Sequence, residues 1–195
     1  MAKRGGGLTG GTGDVNPQWL GTGDLTFTGT TPVNSVIAIA IPLPIQRLNQ
    51  AGKAQVLEVL KVMWRMSIPF NAASLGLNNW GGNAYLTTSQ LLADIDAINA
   101  PKTGKCIDFE TEFLSIYQSH ITPDTIVVQS DDRPVTHDLT DGAGHGVLVG
   151  TDVIYLNLWV PTGFTNISTA VQARILYRFK DVSLAEYIGI VQSQQ

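Results

Sequence analysis

The sequence predicts an all-β fold, a two-sheet sandwich or jelly roll of about eight antiparallel strands, on three observations. Its apolar stretches are short, rich in β-branched residues and parted by Gly-, Pro- and Asn-rich turns, with no alternation of strand and long helix. Hydrophobic residues make up 44% of the 195, enough to bury a core. Charged residues make up only 14%, against the usual quarter or so. Much of the surface is therefore expected to face other subunits rather than water. The length corresponds to one domain.

In chain order, residues 1–24 read as a flexible Gly-rich arm. GGGLTGG and GTGDVNPQWLGTGD carry high backbone entropy and little to bury, with Trp19 and Leu20 placed to anchor the arm's end. Neither stretch has the Gly-Lys-Ser/Thr ending of a phosphate-binding loop. Residues 25–195 then form the sandwich domain. Leu25–Gly29 and Val33–Ile41 read as strands that end at prolines. Val56–Met66 carries two signals. Glu58, Lys61 and Arg65 recur at three and four, as on a helix, while Val56, Val59, Val62, Met63 and Trp64 suit a strand. A strand buried on both faces is favoured.

Ala84–Ser89 is a short strand, and Gln90–Asn99 a helix with Ser89 as cap and Pro101 beyond its end. Over Cys106–Ser119, Asp108, Glu110 and Glu112 alternate with Ile107, Phe109, Thr111 and Phe113. That is the period of a half-buried strand, which would put the three carboxylates on one face about 7 Å apart. Thr125–Gln129, Gly146–Val149, Val153–Val160 and Val171–Val182 are further strands, and the closing SLAEYIGIVQ suits either an extended chain or a helix. No repeat of 20–50 residues is apparent.

The net charge of −4 argues against a surface that grips nucleic acid or anionic membrane all round. Residues 1–97 carry six Lys/Arg against five Asp/Glu, and residues 98–195 six against eleven. Nine of those acids lie between Cys106 and Asp152, with Arg133 as the one base. The single cysteine, Cys106, excludes an intrachain disulfide and a Cys-based zinc site, and reads as a half-buried thiol. Met-Ala-Lys-Arg followed by glycines lacks a secretory apolar stretch. Val36 to Ile45, the longest apolar run, is too short to span a bilayer. A soluble chain made in a reducing compartment, with no membrane partner, is expected.

Chemistry-bearing residues are few. His137, just before LTDGAGHG, and Asp141 and His145 within it are metal-ligating types, but they match no established spacing, and a polar turn with Gly142, Gly144 and Gly146 is the default. Gly-x-Ser-x-Gly is absent and no serine sits in a nucleophile turn, so no catalytic residue and no enzyme activity is expected. Asp108, Glu110 and Glu112 read as a solvated strand face. Their alternative is an interfacial site for a divalent cation such as Ca²⁺, formed across subunits; no other cofactor is implied. Lys3 and Arg4 on the arm, and Arg174, Arg178 and Lys180 near the C-terminus, are the candidate nucleic-acid contacts. The last three share one strand parity, for which a surface stripe is the commoner explanation.

Four stretches carry a resemblance: MAKRGGGLTGGTGDVNPQ, VLEVLKVMW, LTDGAGHGVLV and ARILYRFKDVSLAEYIGIVQSQQ. Together they resemble capsid proteins of small circular Rep-encoding single-stranded DNA (CRESS-DNA) viruses, of the type recovered from environmental and invertebrate samples. Residues 67–135 are unmatched. The resemblance implies a single jelly roll whose copies self-assemble into an icosahedral shell around a circular single-stranded DNA genome. It places the protein in the virion, and in the host cell before assembly. It also supports reading VLEVLKVMWRM as a strand. Such proteins usually begin with an arginine-rich arm, whereas this arm has only Lys3 and Arg4, so the resemblance carries the shell role further than DNA binding, which is expected to be weak. The competing reading from composition is a non-viral jelly-roll module that binds carbohydrate like a lectin, with Trp19, Trp64, Trp80 and Trp159 as stacking platforms.

Overall fold

The structure, a computed structural model, describes residues 17–27, 35–44, 53–67, 83–110, 117–122, 125–129, 134–159 and 169–194. Lys3, Arg4, Glu112, Trp80 and the greater part of the arm lie outside the described residues.

Two sheets form the body. The first takes in β1 (Gln18–Gly21), β2 (Leu25–Phe27), β4 (Lys53–Ser67), β9 (Val135–Asp138), β10 (Val147–Val149) and β12 (Thr169–Ser183). β1 and β2 both pair with one edge of β12, β12 pairs with β4 along its length, and β9 and β10 both pair with the far edge of β4. The second sheet runs β3 (Val36–Pro42), β11 (Val153–Trp159), β5 (Asn83–Thr87), β6 (Cys106–Glu110). Every pairing is antiparallel.

If β1/β2 and β9/β10 each count as one position, eight strand positions remain in sequence order. The sheets then read first–eighth–third–sixth and second–seventh–fourth–fifth. Neighbours alternate between early and late strands in both sheets, which is the two-Greek-key order of a jelly roll. The fold class read from the sequence is therefore the fold observed. A separate hairpin, β7 (Tyr117–Thr122) with β8 (Thr125–Gln129), stands between β6 and β9 in the chain. Of the strand expected over Cys106–Ser119, Cys106–Glu110 is β6 and Tyr117–Ser119 belongs to β7; residues 111–116 lie outside the described residues.

The core lies between the sheets. Leu57, Val59, Val62 and Trp64 of β4 and Val171, Ala173, Ile175 and Tyr177 of β12 meet Ile41, Leu86, Ile107, Ile154, Leu156 and Leu158 of the second sheet. Most of these are β-branched or aromatic, which fit a pleated surface packed on both sides. β4 is a strand, as expected, and its helix-like spacing has a physical cause. The register against β12 jumps between Leu176↔Lys61 and Tyr177↔Val59, so Leu60 is an extra, bulged residue. The bulge brings Glu58, Lys61 and Arg65 onto the same outward face, although the first two are an odd three positions apart.

Two helices cover part of the outer faces. α1 is shorter than expected, Asp94–Asn99 rather than Gln90–Asn99. The Leu91 N–H is bound by the Asn157 side chain on β11 at 3.0 Å, so the chain is pinned to the sheet before it can coil. Asp96, not Ser89, receives the N–H groups of Leu92 and Ala93. α2 (Leu184–Ser193) resolves the ambiguous C-terminus as a helix, and the Ser183 hydroxyl caps it by accepting the Glu186 N–H at 3.2 Å. Tyr187 and Ile190 pack on Ala54, Val56 and Val182, which buries the second face of β4 at that end. Beyond α2, Gln194 is buried, accepting the Gly150 N–H and donating to the Leu148 carbonyl, while its own carbonyl receives the Thr88 hydroxyl. The C-terminus thereby ties the two sheets together.

The end of the stretch assigned to the arm belongs to the sheet. Gln18–Gly21 pairs with Arg174–Tyr177 and Leu20 packs on the core, so the chain enters the sandwich well before residue 24. Among the described residues, no helix is long and apolar enough to cross a membrane.

Candidate functional site

The outer face of the first sheet gathers most of the charged groups of its strands. Register fixes their rows. One row runs Trp19–Leu176–Lys61–Asp138 across β1, β12, β4 and β9. The next runs Gly21–Arg174–Met63–Thr136, and a third pairs Gln172 with Arg65. On the other side of the first row, Arg178 lies opposite Glu58, which in turn faces Leu148. Among the described strand residues, Lys61, Arg65, Arg174, Arg178 and Lys180 therefore share this face with two carboxylates, Glu58 and Asp138.

Both carboxylates are already engaged. Glu58 is fully buried, and the Arg178 Nε donates to its Oε2 at 2.5 Å. The Gly146 N–H donates to Oε1 at 3.1 Å, and Lys180 Nζ stands 3.8 Å from the same oxygen. Burial pushes the Glu58 carboxyl up, but Arg178, Gly146 and Lys180 together outweigh that and hold it below its ordinary 4.5. Asp138 stands 3.9 Å from Lys61 and also accepts the Thr140 N–H and hydroxyl; these hydrogen bonds, Thr140 foremost, lower its pKa. Arg178 additionally donates to the Gly144 carbonyl at 3.0 Å. Of the three basic candidates read on one parity, Arg178 is thus an internal tie and Lys180 sits beside it. Arg174 is exposed and lies over the Trp19 ring, 5.4 Å from its centroid. Sequence reasoning passed over Lys61 and Arg65, because only the pairing of β4 with β12 shows that they share a face with Arg174.

The proposed metal ligands whose side chains are described, Asp108, His137, Asp141 and His145, separate into two places, while the side chains of Glu110 and Glu112 lie outside the described set. Asp108 is buried between the sheets and was expected on a solvated face. The cause is a second bulge: Leu86 pairs with Asp108 but Thr87 pairs with Cys106, leaving Ile107 extra. Ile107 and Asp108 both turn inward and Phe109 outward, where it stacks against Tyr85. The Asp108 carboxylate accepts the Trp64 indole N–H at 2.7 Å and lies 3.0 Å from His137 Nδ1, so it joins β6 to β4 and β9 across the sandwich. Asp141 and His145 are instead on the exposed turn between β9 and β10. There Asp141 accepts the N–H groups of Ala143 and His145 and faces the His145 ring at 3.1 Å. Those bonds lower the Asp141 pKa.

Gly142 and Gly144 take left-handed backbone in that turn, and a side chain at Gly146 would collide with the Val59 carbonyl. A structural turn, as the default reading had it, is what these residues build. Among the described residues, no three His, Cys, Asp or Glu side chains form a group that could hold a metal ion. Cys106 is half-buried, as expected, and burial pushes its thiol up to about 12.

The outer face of the second sheet has no charged strand residue among those described. Val36, Tyr85 and Trp159 meet Leu91, Ala97 and Ala100 under α1. Asn157, fully buried there, binds the Leu91 N–H and donates to the Thr87 hydroxyl at 2.9 Å. The opposite side of this segment exposes Leu92, Ile95 and Ile98, at 75%, 58% and 48%. On α2, Leu184 and Ile188 are exposed as well. The lectin-like platform reading loses Trp64, which is sealed in the core.

The arrangement defines a jelly-roll protein with one cationic and one apolar outer face. No protein-family model matches the chain, and no curated protein matches it in sequence. Among solved structures, the chain is similar to the VP1 pentamer of Human Polyomavirus 6, at 13% identity and a TM-score of 0.48, over 90% of this chain and 98% of that one. It is similar to VP1 of Trichodysplasia spinulosa-associated polyomavirus in complex with GM1 oligosaccharide, at 12% identity and a TM-score of 0.45, over 88% and 97%. Apo VP1 of New Jersey Polyomavirus follows at 9% and 0.44, over 76% and 82%. Likenesses of this size do not bear on what this chain binds.

Proposed function

We propose that the chain is a viral coat protein, the structural subunit of an icosahedral shell whose identical copies self-assemble around circular single-stranded DNA. One observation carries the reading. Three of the four capsid-like stretches, far apart in sequence, converge on a single unit of the fold: VLEVLKVMW is the middle of β4, LTDGAGHGVLV is the turn leading into β10, and the C-terminal stretch is β12 with α2. They are knotted together by Glu58, Arg178, Gly144 and Gly146, one or more from each stretch. A fold alone does not specify a function; here the resembling residues are also those that tie β4, β12 and the turn before β10 to one another.

Two further features support a self-associating subunit. The charged fraction is low, and Leu92, Ile95, Ile98, Leu184 and Ile188 stand exposed on α1, the residues just before it and α2. Electron microscopy of the purified full chain, with light scattering across a concentration series, tests the proposal. Closed particles are the expected result. A monomer that persists at every concentration overturns it.

A further inference from the structure

We infer that the uncovered half of the first sheet's outer face is a contact strip for a single-stranded polynucleotide, built from Trp19, Arg65, Arg174 and Lys61. The inference deepens the shell reading, on which it rests, by naming the surface on which an enclosed strand lies. Charge segregation is the first support. The whole chain is net −4, yet the described strands place five cations and two carboxylates on this face, and both carboxylates are held by Arg178, Lys180 or Lys61. Arg65 and Arg174 are exposed and have no carboxylate partner among the described residues.

Geometry is the second support. Gln172↔Arg65 and Arg174↔Met63 are successive outward pairs, so Arg65 and Arg174 are diagonal neighbours about 7–8 Å apart. Lys61 is one further row along, and rows on one face repeat about every 7 Å. That step is close to the distance between successive phosphates of an extended strand. The third support is aromatic. Trp19, 45% exposed, sits at the strip's edge with the Arg174 guanidinium over its ring. An exposed indole beside a row of cations is what an unpaired base stacks on, and a base held inside a duplex cannot reach it. Arg178 and Lys180 are outside the strip, because the buried Glu58 holds them; Asp138 is exposed, so its contact with Lys61 at 3.9 Å is open to water and to exchange.

The test is binding of fluorescent single-stranded DNA and RNA oligonucleotides, and of duplex DNA of equal length, to the full chain across a salt series. Concentrations are chosen at which light scattering reports free subunits. Both single strands are expected to bind, and to bind more tightly than the duplex. Trp19→Ala is expected to weaken single-strand binding by about 5-fold or more, and Trp19→Phe to keep most of it. Arg65→Gln with Arg174→Gln is expected to flatten the slope of log affinity on log salt by about 1.4, at about 0.7 for each phosphate no longer neutralised. An unchanged slope in that double variant overturns the inference. So does full affinity in a folded Trp19→Ala, or duplex binding as tight as single-strand binding. Particles that form without any strand binding would remove this inference and leave the shell; strand binding without particles would do the reverse.

Discussion

The two outer faces of this sandwich solve the same problem with opposite chemistry. On the first sheet, long cationic side chains lie over their own strands and keep their heads in water, while α2 covers only the end around Ala54, Val56 and Val182. On the second, outward residues such as Tyr85, Asn157 and Trp159 have no charged tip, and the segment Leu91–Ala100 is laid over them. That cover then turns its own apolar side chains outward. A β-sandwich thus reaches its surface either with snorkelling charges or with a layer that still needs a partner. The low charged fraction is concentrated in the second solution.

The comparison breaks most readily at Glu58. Glu58→Ala leaves Arg178 without its buried partner and is expected to cost about 3–5 kcal/mol near pH 7, measured by chemical denaturation. Adding Arg178→Ala should recover part of that loss, and full additivity would show that the pair is not coupled. The same carboxylate sets an acid limit. Its folded-state pKa is depressed, so its contribution is fully present above the ordinary 4.5 and disappears as pH falls through the lower folded value. The stability gap between the wild type and Glu58→Gln should therefore be constant from pH 6 to 8 and begin to close as pH falls below the ordinary 4.5. A gap that widened in acid would reverse the sign.

On the second face, Asn157→Ala strips acceptors and donors from Leu91 and Thr87, at an expected cost of about 1–3 kcal/mol. Proteolysis should then open the chain first around residues 90–100, because that segment loses its pin. Ser183→Ala removes the α2 cap, for an expected loss of about 1 kcal/mol by thermal melting. The smallest expected change in stability is at the exposed apolar residues. Leu92→Ser with Ile95→Ser should stay within about 0.5 kcal/mol of wild type. The same variant should form few or no particles by electron microscopy, and normal assembly would show that α1 faces solvent in the shell.

Sequence patterning reached the strands better than it reached their faces. Short β-branched runs between turns located β3, β4, β5, β11 and β12 within a few residues, because a strand's existence depends on local composition. Facing depends on register, and each of the two bulges shifts it. Leu60 put Glu58 and Lys61 on one side with a helix-like spacing, and Ile107 turned Asp108 from the expected solvated row into a buried link to Trp64 and His137. The candidate strip was half legible for the same reason. Arg174 could be read from the alternation of β12, whereas Arg65 and Lys61 could be joined to it only through β4's pairing. His137 and Asp141, close in sequence, parted because one lies on a strand and the other on the turn that follows.

The sequence by itself determined an all-β chain, its eight strand positions in outline, a half-buried thiol and an unusually low charge, since each follows from composition and local period. Only the tertiary structure decided which sheet each strand joins, which carboxylates are buried, and that the cations collect on one face. Those outcomes rest on pairings between residues as distant as Glu58 and Arg178, and on single extra residues that reverse a strand's alternation. No local pattern encodes a partner more than a hundred residues away, so the two faces that distinguish this protein appear only when the sheets are assembled.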